Sequence, residues 1–274
     1  MGPALDSLHG IRRLADRTPA TLTVVGVLGM VALVASVVIS VVPILGWLLG
    51  IPVLAFGLGA AYAVADHGLF TGSLSTEVGV DLVRERWLSL LGAYALLILL
   101  WLAAFFVLFA LMLVLVIAGT LVASAIALPE IATTAAVGLL LVVFGGVYFC
   151  CAMVAQFLFP AVAVEGHSAM DAVTVAASVV RDAPMSVAGF TMIRLALEYG
   201  LIATGIGVAA GVGALGNIVD DLFGGAAADP GLLVETFDLV GGLAILAVVL
   251  GGVAVGQALR ITYTTTFFTD QTRS

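Results

Sequence analysis

The stretch LSLLGAYALLILLWLAAFFVLFALMLVLVIAGTLVASAIAL, Leu88 to Leu128, carries no charged side chain. About 18 consecutive apolar residues are enough to cross a bilayer, and no soluble domain buries so long an apolar run. Runs of the same character occupy Ala20 to Val42, Ile44 to Ala65, Ile131 to Val164, Val187 to Gly216 and Leu239 to Leu259. Of the 274 residues, 63% are hydrophobic and 9% charged, with a mean hydropathy of +1.28. Soluble chains carry about a quarter charged residues, so composition alone sets this one apart. The expected fold is an all-α integral membrane helix bundle forming one domain over residues 1–274. Within it the N-terminal amphipathic segment is 1–19, the bundle 20–268 and a tail 269–274.

The number of spans turns on the 88–128 run. As a straight helix it would reach about 60 Å, roughly twice the hydrocarbon thickness, so it holds either one over-long helix or two short spans. Arginine placement decides between them. With six spans and a cytoplasmic N-terminus, the inside receives Arg12, Arg13, Arg17, Arg84, Arg86, Arg181, Arg260 and Arg273, and the outside receives none. That satisfies the positive-inside rule, whereas splitting the run sends Arg181, Arg260 and Arg273 outward. The expected protein is therefore a multi-pass cell-membrane protein with both termini cytoplasmic. Pro43 and Gly46 mark a tight turn between the first two spans, and the loop Asn217 to Asp238, with Asp220, Asp221, Asp229 and Glu235, faces outward.

The charge balance narrows the partners. Net charge is -8, pI is near 4.6, and all nine basic residues are Arg, a pattern that fits a halophilic, high-salt-adapted source. No basic face exists to neutralise phosphates, which argues against nucleic acid. The bilayer itself is the expected partner, with anionic lipid within reach of Arg12, Arg13 and Arg17 and with another membrane protein or a second copy as further candidates. The adjacent Cys150 and Cys151 point about 100° apart on a helix and read as small packing residues.

Both inner linkers carry helix signals. Ser168 and Asp171 form a capping box, with polar residues recurring at Thr174, Ser178 and Arg181. In the first linker Glu77, Asp81, Arg84 and Glu85 form one stripe, with Val78, Leu82, Val83 and Trp87 opposite. Both are expected to be amphipathic helices lying in the membrane interface. They also match one another. Val83-Arg84, Ser89 and Gly92 reappear as Val180-Arg181, Ser186 and Gly189, 97 residues later, and Asp66-His67-Gly68 corresponds to Glu165-Gly166-His167 with a two-residue slip. An even number of spans separates the copies, so the internal repeat is parallel.

Few residues offer chemistry. Arg194 and Glu198 lie one helical turn apart inside the fifth span, where each charge costs about 2.5 to 3.5 kcal/mol to insert at mid-membrane, so they are expected to pair, with Gln156 and Gln257 as further polar partners. Asp66, His67, Glu165 and His167 would meet at the cytoplasmic mouth if the repeats pack about a pseudo-twofold axis. None of the spacings of known metal motifs is present, so turn and cap roles are preferred and no metal or other cofactor is expected. Gly46-x3-Gly50, Gly207-x3-Gly211 and Gly252-x3-Gly256 allow close helix approach. No P-loop, nucleophile elbow or dinucleotide fingerprint occurs.

The segment Gln156-Phe-Leu-Phe-Pro-Ala-Val-Ala-Val-Glu165, with Ser168-Ala-Met-Asp-Ala172, Ser178-Val-Val-Arg181 and Gly189-Phe190, resembles a haloarchaeal membrane family of unknown function. The blocks Asp66 to Tyr94 and Tyr263 to Phe268 resemble the same family. More distantly, it is similar to the membrane domain attached to some glycerophosphodiester phosphodiesterases, which implies six spans and no assigned activity. The expected function is a non-enzymatic membrane scaffold or accessory subunit. The alternative is a small-solute or lipid transporter using Arg194 and Glu198.

Overall fold

The computed structural model describes residues 5–41, 45–125, 129–211 and 239–272. Expectations placed on Pro43, on the 217–238 loop and on Arg273, and the Glu198 side chain, lie outside what is described. The described residues form α1 (Leu8–Arg17), α2 (Pro19–Ser40), α3 (Leu45–Thr71), α4 (Glu77–Ala125), α5 (Pro129–Ala163), α6 (Ala169–Asp182), α7 (Pro184–Gly211) and α8 (Leu239–Thr272). Among them, four helices are long and apolar enough to cross a membrane: Pro19–Ser40, Leu49–Thr71, Glu77–Ala118 and Gly138–Ala163. The 88–128 run lies within one helix as far as Ala125, in keeping with the single-helix expectation.

Helix ends follow local chemistry. Pro19 opens α2 because the first helical position needs no N–H. Gly72, with φ of 68°, closes α3 by donating its N–H to the Gly68 carbonyl, and Gly166, with φ of 77°, turns the chain after α5. Ser168 caps α6, its hydroxyl accepting from the Asp171 N–H at 3.2 Å, as the capping box requires. Within α4 the backbone of Arg86 (φ -124°, ψ 20°) breaks the helical path between the linker and the span. Ala183 (φ -137°, ψ 55°) makes the same break between α6 and α7.

These helix ends gather at one end of the bundle. Arg86 donates to the Gly166 carbonyl, Gly92 faces Ala169, and Gly10 of α1 sits against Thr266 of α8. The core lies at this end. Phe157, Phe190, Tyr263 and Phe267 are fully buried and stacked, with Phe190 rings 4.3 Å from Phe267 and 4.4 Å from Tyr263. Phe268 adds a further stack, 6.0 Å from Phe157. The residues that carried the family resemblance, Phe157, Phe190 and Tyr263 to Phe268, are thus the residues that lock α5, α7 and α8 together.

Two expectations need correction. Residues 269–272 are the last turn of α8, not a tail. Arg260 is not a flanking residue, because the helix continues through the buried Ile261, Tyr263, Phe267 and Phe268, and Arg260 sits half-buried within the bundle. Its neighbours make this possible: Thr264, Thr265, Thr266 and Thr269 each donate to the carbonyl four residues back, so their hydroxyls are satisfied inside their own helix. Trp87, on the apolar stripe of the first linker, is 48% exposed, a position suited to an amphipathic indole.

Candidate functional site

Directly beyond the aromatic stack lies a polar layer. Gln156 precedes Phe157 on α5 and Thr191 follows Phe190 on α7, so stacking the two phenyl rings, 5.8 Å apart, brings the two polar side chains together. Gln156 Nε2 donates to Thr191 Oγ1 at 2.8 Å and to the Met153 carbonyl at 3.2 Å. Thr191 in turn donates to the Val187 carbonyl at 2.7 Å. Gln156 Oε1 accepts from Arg194 Nη1 at 3.1 Å, one turn further along α7. The chain of donors runs in one direction, from guanidinium to amide to hydroxyl to backbone. It gives the Arg194 charge a buried acceptor, and a hydrogen bond to a charged group contributes about 1.5 to 3 kcal/mol, comparable to the insertion cost. Gln156 is therefore placed as a partner of Arg194. Gln257 lies elsewhere, on α8, and contributes to a separate cavity.

The expected acidic and histidine cluster assembles only in part. Asp66, His67 and Glu165 line a cleft of about 550 Å³ between the two linkers, together with Asp81, Glu85 and Arg86. His167 is not part of that lining; its Nε2 lies 3.1 Å from Glu165 Oε2. His67 Nε2 lies 3.3 Å from Ser73 Oγ, closing the turn after α3. Among the described residues no three His, Cys, Asp or Glu side chains come together to hold a metal ion. The two turns lie at the same end of the bundle, with Glu165 and His167 in contact with each other and His67 in contact with Ser73.

Arg86 was not singled out from sequence, and the brace it makes with Gly166 joins the two linkers. A signal was present: arginine is scarce, and Arg86 sits where the charged linker meets the apolar run. Tyr94, Gln257 and Arg260 form the polar end of a second cavity of about 640 Å³ with a largely apolar wall. Outside the spans, burial raises the Asp270 carboxyl above its ordinary value, an effect opposed by Arg13 and reinforced by Asp6.

The fold and these sites define an all-helical protein built around long apolar helices, with the polar clusters of the described residues gathered toward the end where the linkers meet. The chain belongs to the family described as Domain of unknown function (DUF7847), whose model matches residues 4–271. No curated protein and no solved structure matches it.

Proposed function

We propose that the protein is a six-span membrane protein, with both termini and both linkers cytoplasmic, that acts without catalysis as a scaffold or accessory subunit. The observation that carries this reading is the Arg86 to Gly166 brace, which ties the two linkers into one unit beside a cleft displaying Asp66, Asp81, Glu85 and Glu165. A braced, acidic end suits a docking platform better than loops that move independently. Six spans are supported by the alternation in which α2, α4 and α7 start at this end while α3, α5 and α8 finish at it. A parallel duplication is supported by two sets of positions 97 residues apart. The backbone breaks at Arg86 and Ala183 are one; the fully buried Leu90 and Ala93, answered by Val187 and Phe190, are the other.

The test begins with topology. Cysteines placed at Ser75 and at Asp229 should react from opposite sides of intact vesicles, and equal labelling from outside would refute the six-span arrangement. Reversing the platform charge with Asp81→Arg and Glu85→Arg should then shift the complex extracted from native membranes to the size of the free protein. An unchanged complex would count against the platform.

The second reading, a small-solute or lipid transporter, is favoured by the Arg194–Gln156–Thr191 chain inside the helices. Proteoliposomes that swell osmotically faster than protein-free vesicles, with loss of that effect in Arg194→Leu with Glu198→Leu, would support it and remove the scaffold reading.

A further inference from the structure

α4 and α8 make little direct contact, and the 640 Å³ cavity occupies the space between them, floored by α2 and α3 through Gly29, Leu33, Leu54 and Leu58. Its volume falls within the roughly 300 to 1,000 Å³ of ordinary ligand sites. The mouth opens sideways: Ile98, Leu102 and Phe105 line the cavity and are 41%, 45% and 60% exposed, on a face that meets hydrocarbon if the helices span a bilayer. From Tyr94 to Phe105 the α4 wall rises by about 16 Å, roughly half of a 30 Å hydrocarbon core, which is the depth of one leaflet.

One end of this groove is polar. Gln257 is only 9% exposed, yet its Oε1 is buried with no hydrogen-bond partner. Buried acceptors are nearly always satisfied, so an amide oxygen left this way on a cavity wall marks a place where a donor belongs. Tyr94 and Arg260, the charged residue of the wall among those described, line the same cavity. Arg260 is six residues from Thr266, against which α1 rests, so its guanidinium is about 9 Å along the helix from that contact, a gap its long stem can reach across. The far end is lined by Gly252 and Gly256. A Cβ built at Gly252 meets no heavy atom within 4 Å, so this glycine leaves open space instead of serving the close helix approach its motif suggested.

We propose that the groove binds one chain of an anionic, hydroxyl-bearing phospholipid from the inner leaflet, with its headgroup at Gln257, Arg260 and Tyr94. The apolar wall takes the chain, the guanidinium faces the phosphate, and a headgroup hydroxyl donates to Gln257 Oε1. A choline headgroup lacks that donor and adds a cation beside Arg260, so the site discriminates against it. The groove is one leaflet deep, open to the side and polar at a single end, which fits a lipid better than a helix of a second copy. The proposal rests on the membrane-spanning reading and is independent of the scaffold role.

The full chain, reconstituted in nanodiscs of phosphatidylcholine containing a phosphatidylglycerol with a diazirine on its acyl chain, is irradiated and mapped. Labels should fall on residues 94–105 and 252–260, and unlabelled phosphatidylglycerol should compete about tenfold better than phosphatidylcholine. Gly252→Leu fills the groove and should cut labelling about tenfold without loss of thermal stability, because leucine also favours the helix. Leu102→Trp, which closes the mouth, is the second blocking variant should the first fail to fold. Gln257→Leu should leave labelling in place and erase most of the preference for phosphatidylglycerol. Equal labelling of parent and blocked variants, or equal competition by the two lipids, would mean bulk surrounding lipid only and overturn the proposal. Recovery of the protein in the soluble fraction without detergent would instead overturn the membrane-spanning reading itself.

Discussion

The two halves of the bundle are built on different rules. Where the linkers meet, Phe157, Phe190, Tyr263, Phe267 and Phe268 pack ring on ring with almost no exposure, as in the core of a soluble domain. Further along α4, Phe105, Phe106 and Phe109 are as large and as apolar, yet they are 60%, 60% and 52% exposed. The residue type is the same and the role is opposite. In water the second set would be an aggregation hazard; against lipid tails it costs nothing, because tails are as apolar as the side chains themselves. Hydrophobicity therefore does not say which aromatic residues hold this fold, whereas the number of helices that surround them does.

The sharpest way to break this contrast is a matched pair of truncations. Phe190→Ala should destabilise the detergent-solubilised protein by about 3 to 5 kcal/mol, since it opens a hole inside the stack, while Phe106→Ala should stay within about 0.5 kcal/mol. Unfolding followed by tryptophan fluorescence gives both values. Similar losses for the two variants would mean that the packed end and the exposed half do not differ as described.

A smaller effect probes the polar layer next to the stack. Gln156→Leu removes an acceptor of Arg194 and should cost about 1 to 3 kcal/mol. Removing charges tests the same layer from the other side: Arg194→Ala or Glu198→Ala alone should lower the melting temperature more than Arg194→Leu with Glu198→Leu, because one isolated charge in the bundle is worse than none. Two single variants as stable as the parent would mean these side chains reach water, and the packed end would then be shallower than the contacts imply.

The smallest effect lies at the exposed margin of α8. Burial raises the Asp270 carboxyl, so folding favours its protonated form. That contribution is present below the ordinary value of 3.8 and is lost as pH rises through the raised one. Asp270→Asn should therefore raise the melting temperature near neutrality by about 1 °C and flatten its fall over that acidic window, the side chain being too well solvated for more. A drop in melting temperature would show instead that the Arg13 attraction outweighs the burial.

Sequence periodicity and length were enough to place the long helices, because apolar runs of bilayer length are governed by the solvent and need no tertiary information. The boundaries that moved did so for tertiary reasons. Leu259 ends the apolar run because Arg260 follows it, and the threonine-rich segment beyond it gives no sign in sequence of its own burial. Only the surrounding helices reveal that those threonines are enclosed. The Gln156 contact with Arg194 was within reach of sequence reasoning, since a buried arginine demands an acceptor and glutamines in apolar runs are few. The Arg86 brace and the cavity between α4 and α8 were not, because both arise from which helices fail to touch and where two turns meet.

The threonines of α8 have a consequence for how the protein is made. By turning the hydroxyls of Thr264, Thr265, Thr266 and Thr269 back onto its own backbone, the helix hides in its secondary structure much of the polarity that its composition advertises. It is synthesised after every helix it packs against, so the slot between α5 and α7 stays open until Tyr263 to Phe268 emerge from the ribosome. The partly built chain thus carries its own unfinished mark, an unfilled aromatic slot, and arrival of α8 erases it.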